Sequence, residues 1–273
     1  MAIVFKWNKT DLGQRLKTCE VDGIFPFVIK YFPKHTKILE SGCGDARWVK
    51  FLNDRGWDAT GIEISGETVA MVSKVWPELK IVQGDVSNSP FNQNHFDGVI
   101  SLGVIEHWEE GPFIPLKDIH RILKPNGIGI ITVPCLNTVR KFKKMLFWHE
   151  IKNLPKGLAK TYIRNEKFSV NRFQKKYKYT VYPSYGKFFE YRMSPNEFIQ
   201  EVKGAGFEIL EHFPIGQIDG VYHDLNPFKL LVKFNNWEFE SSFIAKKINT
   251  FLNKKSFFHP HMQGVIVRKL KIS

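Results

Sequence analysis

Lys37-Ile38-Leu39-Glu40-Ser41-Gly42-Cys43-Gly44-Asp45-Ala46-Arg47-Trp48-Val49-Lys50-Phe51-Leu52 is the stretch whose reading decides the fold. Its first part, 37–41, is a short apolar run that stops in a glycine-rich turn, the signature of a buried strand. From 45 to 55 the spacing turns helical: Trp48, Phe51 and Leu52 share a face, and Gly56 closes the helix. The same alternation continues outward. Residues 59–64 predict a second strand, 66–76 a helix stopped by Pro77, 80–82 a third strand ending at Gln83-Gly84-Asp85, and 96–102 a fourth. A helix over 114–123 and the turn residues Lys124-Pro125-Asn126-Gly127 lead into a fifth strand at 128–133. Strands alternating with helices imply parallel βαβ units with right-handed crossovers, hence an α/β fold.

The rhythm breaks over 135–192 and resumes at Ser194-Pro195-Asn196-Glu197, a capping signature for a helix that ends near Lys203. A sixth strand follows at 207–211, then an irregular stretch with helical spacing near 243–252, then a last strand at 263–270. The reading gives an N-terminal helical cap (1–36), a core (37–134, continued at 193–213), an insert (135–192), a second insert (214–260) and a final core strand (261–273).

With 273 residues, 43% hydrophobic and 25% charged, the chain has the composition of a globular protein of one large domain with inserts. It has no apolar run long enough to cross a bilayer and no signal-peptide pattern at its start. Cys19, Cys43 and Cys135 lie far apart, which argues against a zinc site or disulfide framework and fits a cytoplasmic location. The net charge of +13 is concentrated: residues 135–192 carry 15 Lys/Arg against 3 Asp/Glu, together with 13 aromatics. Such a segment reads either as a surface for an anionic partner or as a solvated basic lid.

A strand, a Gly-x-Gly turn and a helix let a backbone approach a nucleotide closely, because glycine carries no side chain. Two residues argue against a dinucleotide. Arg47 fills the position where a third small residue packs helix on strand, and Glu40 places a carboxylate where a pyrophosphate would be repelled. The same carboxylate attracts an ammonium.

Glu40-Ser41-Gly42-Cys43-Gly44-Asp45-Ala46 resembles the first motif of the class I S-adenosylmethionine-dependent methyltransferases, of the type 11, ubiquinone-biosynthesis-like kind that acts on small molecules; Ala46 replaces the third glycine. Glu63 matches the family's ribose-binding acid. Gly84-Asp85-Val86 resembles the third-strand motif that meets the adenine, Phe96 to His107 the fourth-strand motif, and Leu123 to Gly127 the turn before the fifth strand. The resemblance covers about 37–134, and more loosely 193–213 and 261–270. It implies a doubly wound, seven-stranded, mostly parallel Rossmann-like sheet with the last strand antiparallel, and inserted lid segments. It implies S-adenosylmethionine as cofactor, held by Glu40, Gly42, Cys43, Gly44, Glu63, Ile64, Gly84, Asp85, Val86, Ser101, Leu102 and Gly103.

Methyl transfer from a sulfonium asks the protein mainly to orient and desolvate, so carboxylates belong at the ends of the cofactor rather than at the sulfur. His107, just after the fourth strand, is the candidate general base, its ordinary pKa being suited to proton transfer; the alternative is that Glu106-His107 packs a loop beneath the cofactor. Related small-RNA methyltransferases hold a metal with a Glu-x-x-Glu-His run. Gly103 stands at its first acid, so no metal is expected. Cys135 after Pro134 invites comparison with cytosine methyltransferases, but their Pro-Cys follows the fourth strand, and a structural thiol is expected here. His149, Tyr185, Tyr191 and Arg192 are candidates for the acceptor pocket. The expected acceptor is a small molecule, anionic or linked to lipid or sugar, methylated on O or N. RNA or DNA, an anionic membrane surface, and a non-catalytic binding module are the competing readings.

Overall fold

Ser41 ends a strand whose backbone bonds to strands on both sides, and the sheet grows outward from it. In the computed structural model, which describes residues 12–108, 110–145, 173–174, 177–182, 186–226, 231–235, 238–251 and 257–271, two helices come first, α1 (Leu12–Val21) and α2 (Phe25–Tyr31). The core follows as β1 (Lys37–Ser41), α3 (Arg47–Asn53), β2 (Asp58–Glu63), α4 (Gly66–Val75), β3 (Lys80–Gln83), β4 (Phe96–Leu102), α5 (Phe113–Ile122) and β5 (Leu123–Pro134). A 3₁₀ turn over Ile105–His107 follows β4. Beyond β5 lie α6 (Thr138–Met145), β6 (Phe173–Gln174), β7 (Tyr177–Tyr182), β8 (Gly186–Phe189), α7 (Pro195–Gly204) and β9 (Phe207–Ile215). The chain continues as α8 (Gln217–Asp224), β10 (Val232–Asn235), β11 (Glu238–Ser241), α9 (Phe243–Phe251) and β12 (Met262–Lys269).

Seven strands form the main sheet in the order β3-β2-β1-β4-β5-β12-β9. Neighbours from β3 to β5 are parallel, while β12 is antiparallel to both β5 and β9. This is the doubly wound, seven-stranded arrangement with an antiparallel last strand that the resemblance implied. One face carries α1, α2, α3 and α4 over a core containing Trp48, Phe51, Leu52 and Ile100; the other carries α5 and α7 over Leu116, Ile119, Phe198 and Val265. Trp48 and Phe51 are fully enclosed; truncating either to alanine costs about 3–5 kcal/mol.

Local chemistry sets the element ends. Ser65 caps α4 by accepting from the Thr68 N–H, and Ser194 with Glu197 forms the reciprocal capping box at α7. Two strands run several residues beyond their sequence-based bounds. β5 begins at Leu123 because that residue pairs with Phe96, and the expected turn becomes an irregularity within the strand, with Asn126 at φ +64°. β9 continues through Pro214 to Ile215 because β12 supplies partners along its length; an edge strand accommodates proline, since one row of its backbone groups needs no partner. Residues 135–192, which show no clean period in sequence, contribute α6 and the antiparallel β6-β7-β8 sheet.

Candidate active site

The tip of β2 ties the neighbouring turns together. The Ile62 carbonyl accepts from the N–H groups of Gly42 (3.0 Å) and Cys43 (2.9 Å), and the Glu63 carbonyl accepts from Gly84 N–H (3.0 Å). The Glu63 side chain adds two more bonds: Oε2 accepts from Gly44 N–H (3.0 Å) and Oε1 from Ser65 N–H (2.9 Å). Glu63 therefore fixes the glycine turn after β1 and the start of α4 at once. A carboxylate has about four acceptor positions, so each oxygen keeps one in reserve. Gly42 has φ +76°, and a Cβ there would lie 2.6 Å from a Val104 methyl, so only glycine fits this turn.

These turns enclose a cavity of about 200 Å³. Of the residues expected around the cofactor, Gly42, Gly44, Glu63, Ile64, Val86, Leu102 and Gly103 line it, and His107 joins them. Val104 and Trp108 line it as well, which the sequence did not disclose, although both flank His107 in the loop after β4.

The other expected residues lie elsewhere. Glu40 is buried beneath the turn, accepts from Val49 N–H (3.1 Å) in the first turn of α3, and is held by burial well above the usual carboxylate range. It satisfies a helix N-terminus instead of facing the cavity. The Cys43 side chain points under β2, its sulfur filling the space beside Gly61, so only its backbone serves the turn. Gly84 and Asp85 sit at the tip of β3 outside the cavity lining, and Asp85 Oδ1 accepts from the Ser87 N–H and hydroxyl, both at 2.7 Å. Ser101 is buried, and its hydroxyl has no hydrogen-bond partner among the described residues.

His107 has a side chain 12% exposed, with Nε2 3.8 Å from Glu106 Oε1. Glu106 is enclosed, its Oε2 unpartnered among the described residues, and burial keeps its carboxyl well above the usual range.

Leu102 also borders a second cavity, of about 910 Å³. Thr132 and Met262 stand with Leu102 at the sheet edge; Arg15, Asp22 and Arg47 come from the α1 and α3 side. Ile218, Asp219, Tyr222 and His223 on α8, with Phe234 and Phe239 on β10 and β11, form the opposite wall. Arg15 pairs with Asp45 at 2.6 Å and Arg47 with Asp22 at 3.5 Å. Burial, reinforced by Asp22, lifts the Asp219 carboxyl to about 6. Behind α8 the His223 ring stacks on His261 (4.4 Å), whose Nδ1 is 2.7 Å from the Arg140 guanidinium; Arg140 in turn meets Asp224 Oδ2 at 2.7 Å. Burial and the Arg140 charge hold His261 down at about 2. None of the α8 wall carried a sequence signal.

Tyr191 and Arg192 line neither cavity. Tyr191 N–H donates to the Glu106 carbonyl (3.1 Å), and Arg192 pairs with Glu190 (2.5 Å). His149 and Tyr185 lie outside the described residues. Cys135 is enclosed and burial pushes its thiol up to about 12, which agrees with a structural role.

Residues 39–131 match the methyltransferase domain family. This stretch is a methyltransferase domain. The methyltransferase domain's relatives include a protein of Mycolicibacterium smegmatis named as an S-adenosylmethionine-dependent methyltransferase, 29% identical over 98 residues, 36% of this chain and 37% of the relative. The chain thus spans little more than a third of that relative. A demethylmenaquinone methyltransferase of Chlorobaculum tepidum is 27% identical over 67% of this chain and 69% of its own length. Among solved structures, a methyltransferase of Archaeoglobus fulgidus has a TM-score of 0.55 at 16% identity, covering 94% of each chain. At that identity it shows a shared fold. Both sequence relatives are named as methyltransferases, the one of Mycolicibacterium smegmatis as S-adenosylmethionine-dependent.

Proposed function

We propose that this chain transfers a methyl group from S-adenosylmethionine to a small acceptor with a largely apolar body. One observation carries the reading: the glycine-lined cavity holding Glu63 and the larger cavity share Leu102, at the tip of β4, as a common wall. The first cavity fits the cofactor by its donor set. The reserve acceptor positions of Glu63 suit a pair of vicinal hydroxyls, and Ile64, Val86 and Trp108 supply apolar walls for a flat base. The Gly42–Gly44 turn leaves the backbone bare beside the remainder. When bound, S-adenosylmethionine supplies a methyl on a positively charged sulfur, open to in-line displacement.

The chain's own part is to bind, align and dry the reactants. Glu63 anchors the cofactor by its vicinal hydroxyls, between the base and the sulfur. Leu102 stands between the two cavities, with Gly103 beside it in the first, and keeps water from the reacting centre. His107 accepts a proton from an acceptor O–H or N–H. In the larger cavity both guanidiniums are already answered by acids, whereas Tyr222, Phe234, Phe239, Ile218 and Met262 present apolar surface. That balance favours an apolar-bodied acceptor over the anionic one expected from net charge, and the relatives named for demethylmenaquinone methylation, such as one from Staphylococcus aureus at 31% identity over 120 residues, point the same way.

A relative of Bacillus subtilis named for methylation of a ribosomal RNA guanine, 29% identical over 117 residues, supports RNA as the second reading, together with the basic residues of 135–192. The experiment is incubation with radiolabelled S-adenosylmethionine and fractionated cell extract, after calorimetry with the cofactor alone. Label in an organic-extractable small molecule is the expected result. Label in RNA transfers the case to the second reading, and absence of cofactor binding overturns both.

A further inference from the structure

We infer that α9 seats this protein on an anionic lipid surface, with the mouth of the larger cavity facing the bilayer. A surface helix ordinarily turns its polar side outward. In α9 three large apolar side chains face outward. Ala245 faces inward and is fully buried, while Phe243, Ile244 and Phe251 are 71%, 59% and 88% exposed. At 100° per residue, Phe243 and Phe251 lie eight positions apart on one side with Ile244 beside them, so the three form a single outward apolar stripe. Lys247 lies within the stripe, its ammonium 4.7 Å from the Phe243 ring centre, and Lys246 borders it; both are exposed. The helix FIAKKINTF contains no acid, and the nearest in sequence is Glu240 at the end of β11.

The stripe is continuous with the larger cavity. α9 packs on α8 and β11, whose Tyr222 and Phe239 line that cavity. Phe234 and Val21 belong to the lining and are 41% and 84% exposed, so the rim itself is apolar. Ser242 anchors the helix start by accepting from Ala245 N–H (3.2 Å), which fixes the direction of the stripe.

Charge decides the occupant. A two-fold contact between copies would bring Lys246 and Lys247 toward their own counterparts in a chain of net charge +13, with no acid on the helix to answer them. An anionic bilayer surface accepts the ammonium groups at the headgroup level while the phenyl and sec-butyl groups enter the acyl boundary. An acceptor with an apolar body would then pass from the bilayer into the cavity without crossing water; this last point rests on the proposed function, whereas the docking itself does not.

The test is co-sedimentation of the full chain with phosphatidylcholine vesicles with and without phosphatidylglycerol. The expected result is binding to the phosphatidylglycerol vesicles that weakens with salt, falls on the order of a hundredfold in Phe243→Ser/Ile244→Ser/Phe251→Ser, and falls about thirtyfold in Lys246→Gln/Lys247→Gln. Unchanged thermal midpoints certify that the variants fold. No sedimentation of the wild type with either vesicle, or equal binding by the apolar triple variant, overturns the inference. So does a dimer in sedimentation velocity that the triple variant dissolves, which would assign the stripe to a second copy. Calorimetry with S-adenosylmethionine on the same samples separates the two proposals: failure to bind the cofactor refutes the enzyme reading and leaves the vesicle result standing.

Discussion

Replacing Gly42 by alanine should damage the turn in two separable ways. The backbone there has φ +76°, and an L-residue in the left-handed region costs about 1–2 kcal/mol. The new Cβ would also lie 2.6 and 2.7 Å from the two Val104 methyls; an overlap of that kind costs about 1–3 kcal/mol after side-chain adjustment. The reduced entropy of the unfolded chain offsets about 0.4–1 kcal/mol. The net expectation is a loss of about 3 kcal/mol. Val104→Ala alone removes two methyls from the cavity wall and costs about 1–2 kcal/mol. Combined, the two changes should cost about 1–3 kcal/mol less than their sum, because the overlap with the two methyls disappears and a 3.2 Å approach to the residue-104 Cβ is left beside the backbone strain. Urea unfolding of the four proteins measures this cycle, and calorimetry with S-adenosylmethionine should follow it, with affinity lost in Gly42→Ala and partly regained in the double variant. Strict additivity would refute the contact between the glycine turn and the loop after β4.

Glu63→Ala should weaken S-adenosylmethionine binding by about 1–3 kcal/mol and lower the unfolding midpoint too, since the N–H groups of Gly44 and Ser65 lose their shared acceptor; an unchanged dissociation constant would remove Glu63 from the cofactor site. Lys269 is 5% exposed, and its Nζ donates to Asn94 Oδ1 (2.8 Å) and to the carbonyls of Arg121 (3.3 Å) and Leu123 (2.8 Å). Lys269→Met should cost about 2–3 kcal/mol by leaving those acceptors unanswered; a neutral result in thermal unfolding would mean water replaces the ammonium. Folded His261 stays neutral down to about pH 2, whereas the unfolded ring takes up a proton near 6.5. The unfolded state therefore binds the extra proton between those values, and the stability from the neutral ring is complete above pH 6.5 and lost as pH falls below it. Wild type should lose about 1 kcal/mol relative to His261→Asn between pH 6.5 and 5.5. The raised Asp219 works in the opposite sense in both proteins and cancels in the comparison; a constant gap in denaturant titrations would contradict it.

The sheet was legible because its strands are short apolar runs punctuated by glycine, and because several helices start or stop at a residue with a local mechanism: Gly56, Pro77, Ser194. The tips of β1, β2 and β4 were legible for a similar reason, since Gly42, Gly44 and Glu63 act through backbone geometry and adjacency along the chain. Glu40 shows where that logic ends. Sequence places a carboxylate at the end of β1 but does not say whether it turns toward the cavity or toward α3, and the unmet N–H groups of the helix took it. The wall formed by α8, β10 and β11 was hidden for another reason. Its residues meet the sheet only through tertiary packing across an irregular stretch of chain, where neither period nor motif survives.

The position of β12 between β5 and β9 separates the order of synthesis from the order of assembly. On a growing chain, β1 to β5 can pair as they emerge, yet β5 keeps a bare edge and β9 has no partner until residues 262–269 exist. β9 thus waits through the making of about fifty further residues, and the isoleucine-rich β5 waits longer still with one edge bare, both exposed to other nascent chains. Closing that gap late, over a long sequence separation, is the slow step this topology imposes. Mutations that weaken β12 should therefore reveal themselves first in the yield of soluble protein, before any change in the chemistry at the far tips of β1 and β2.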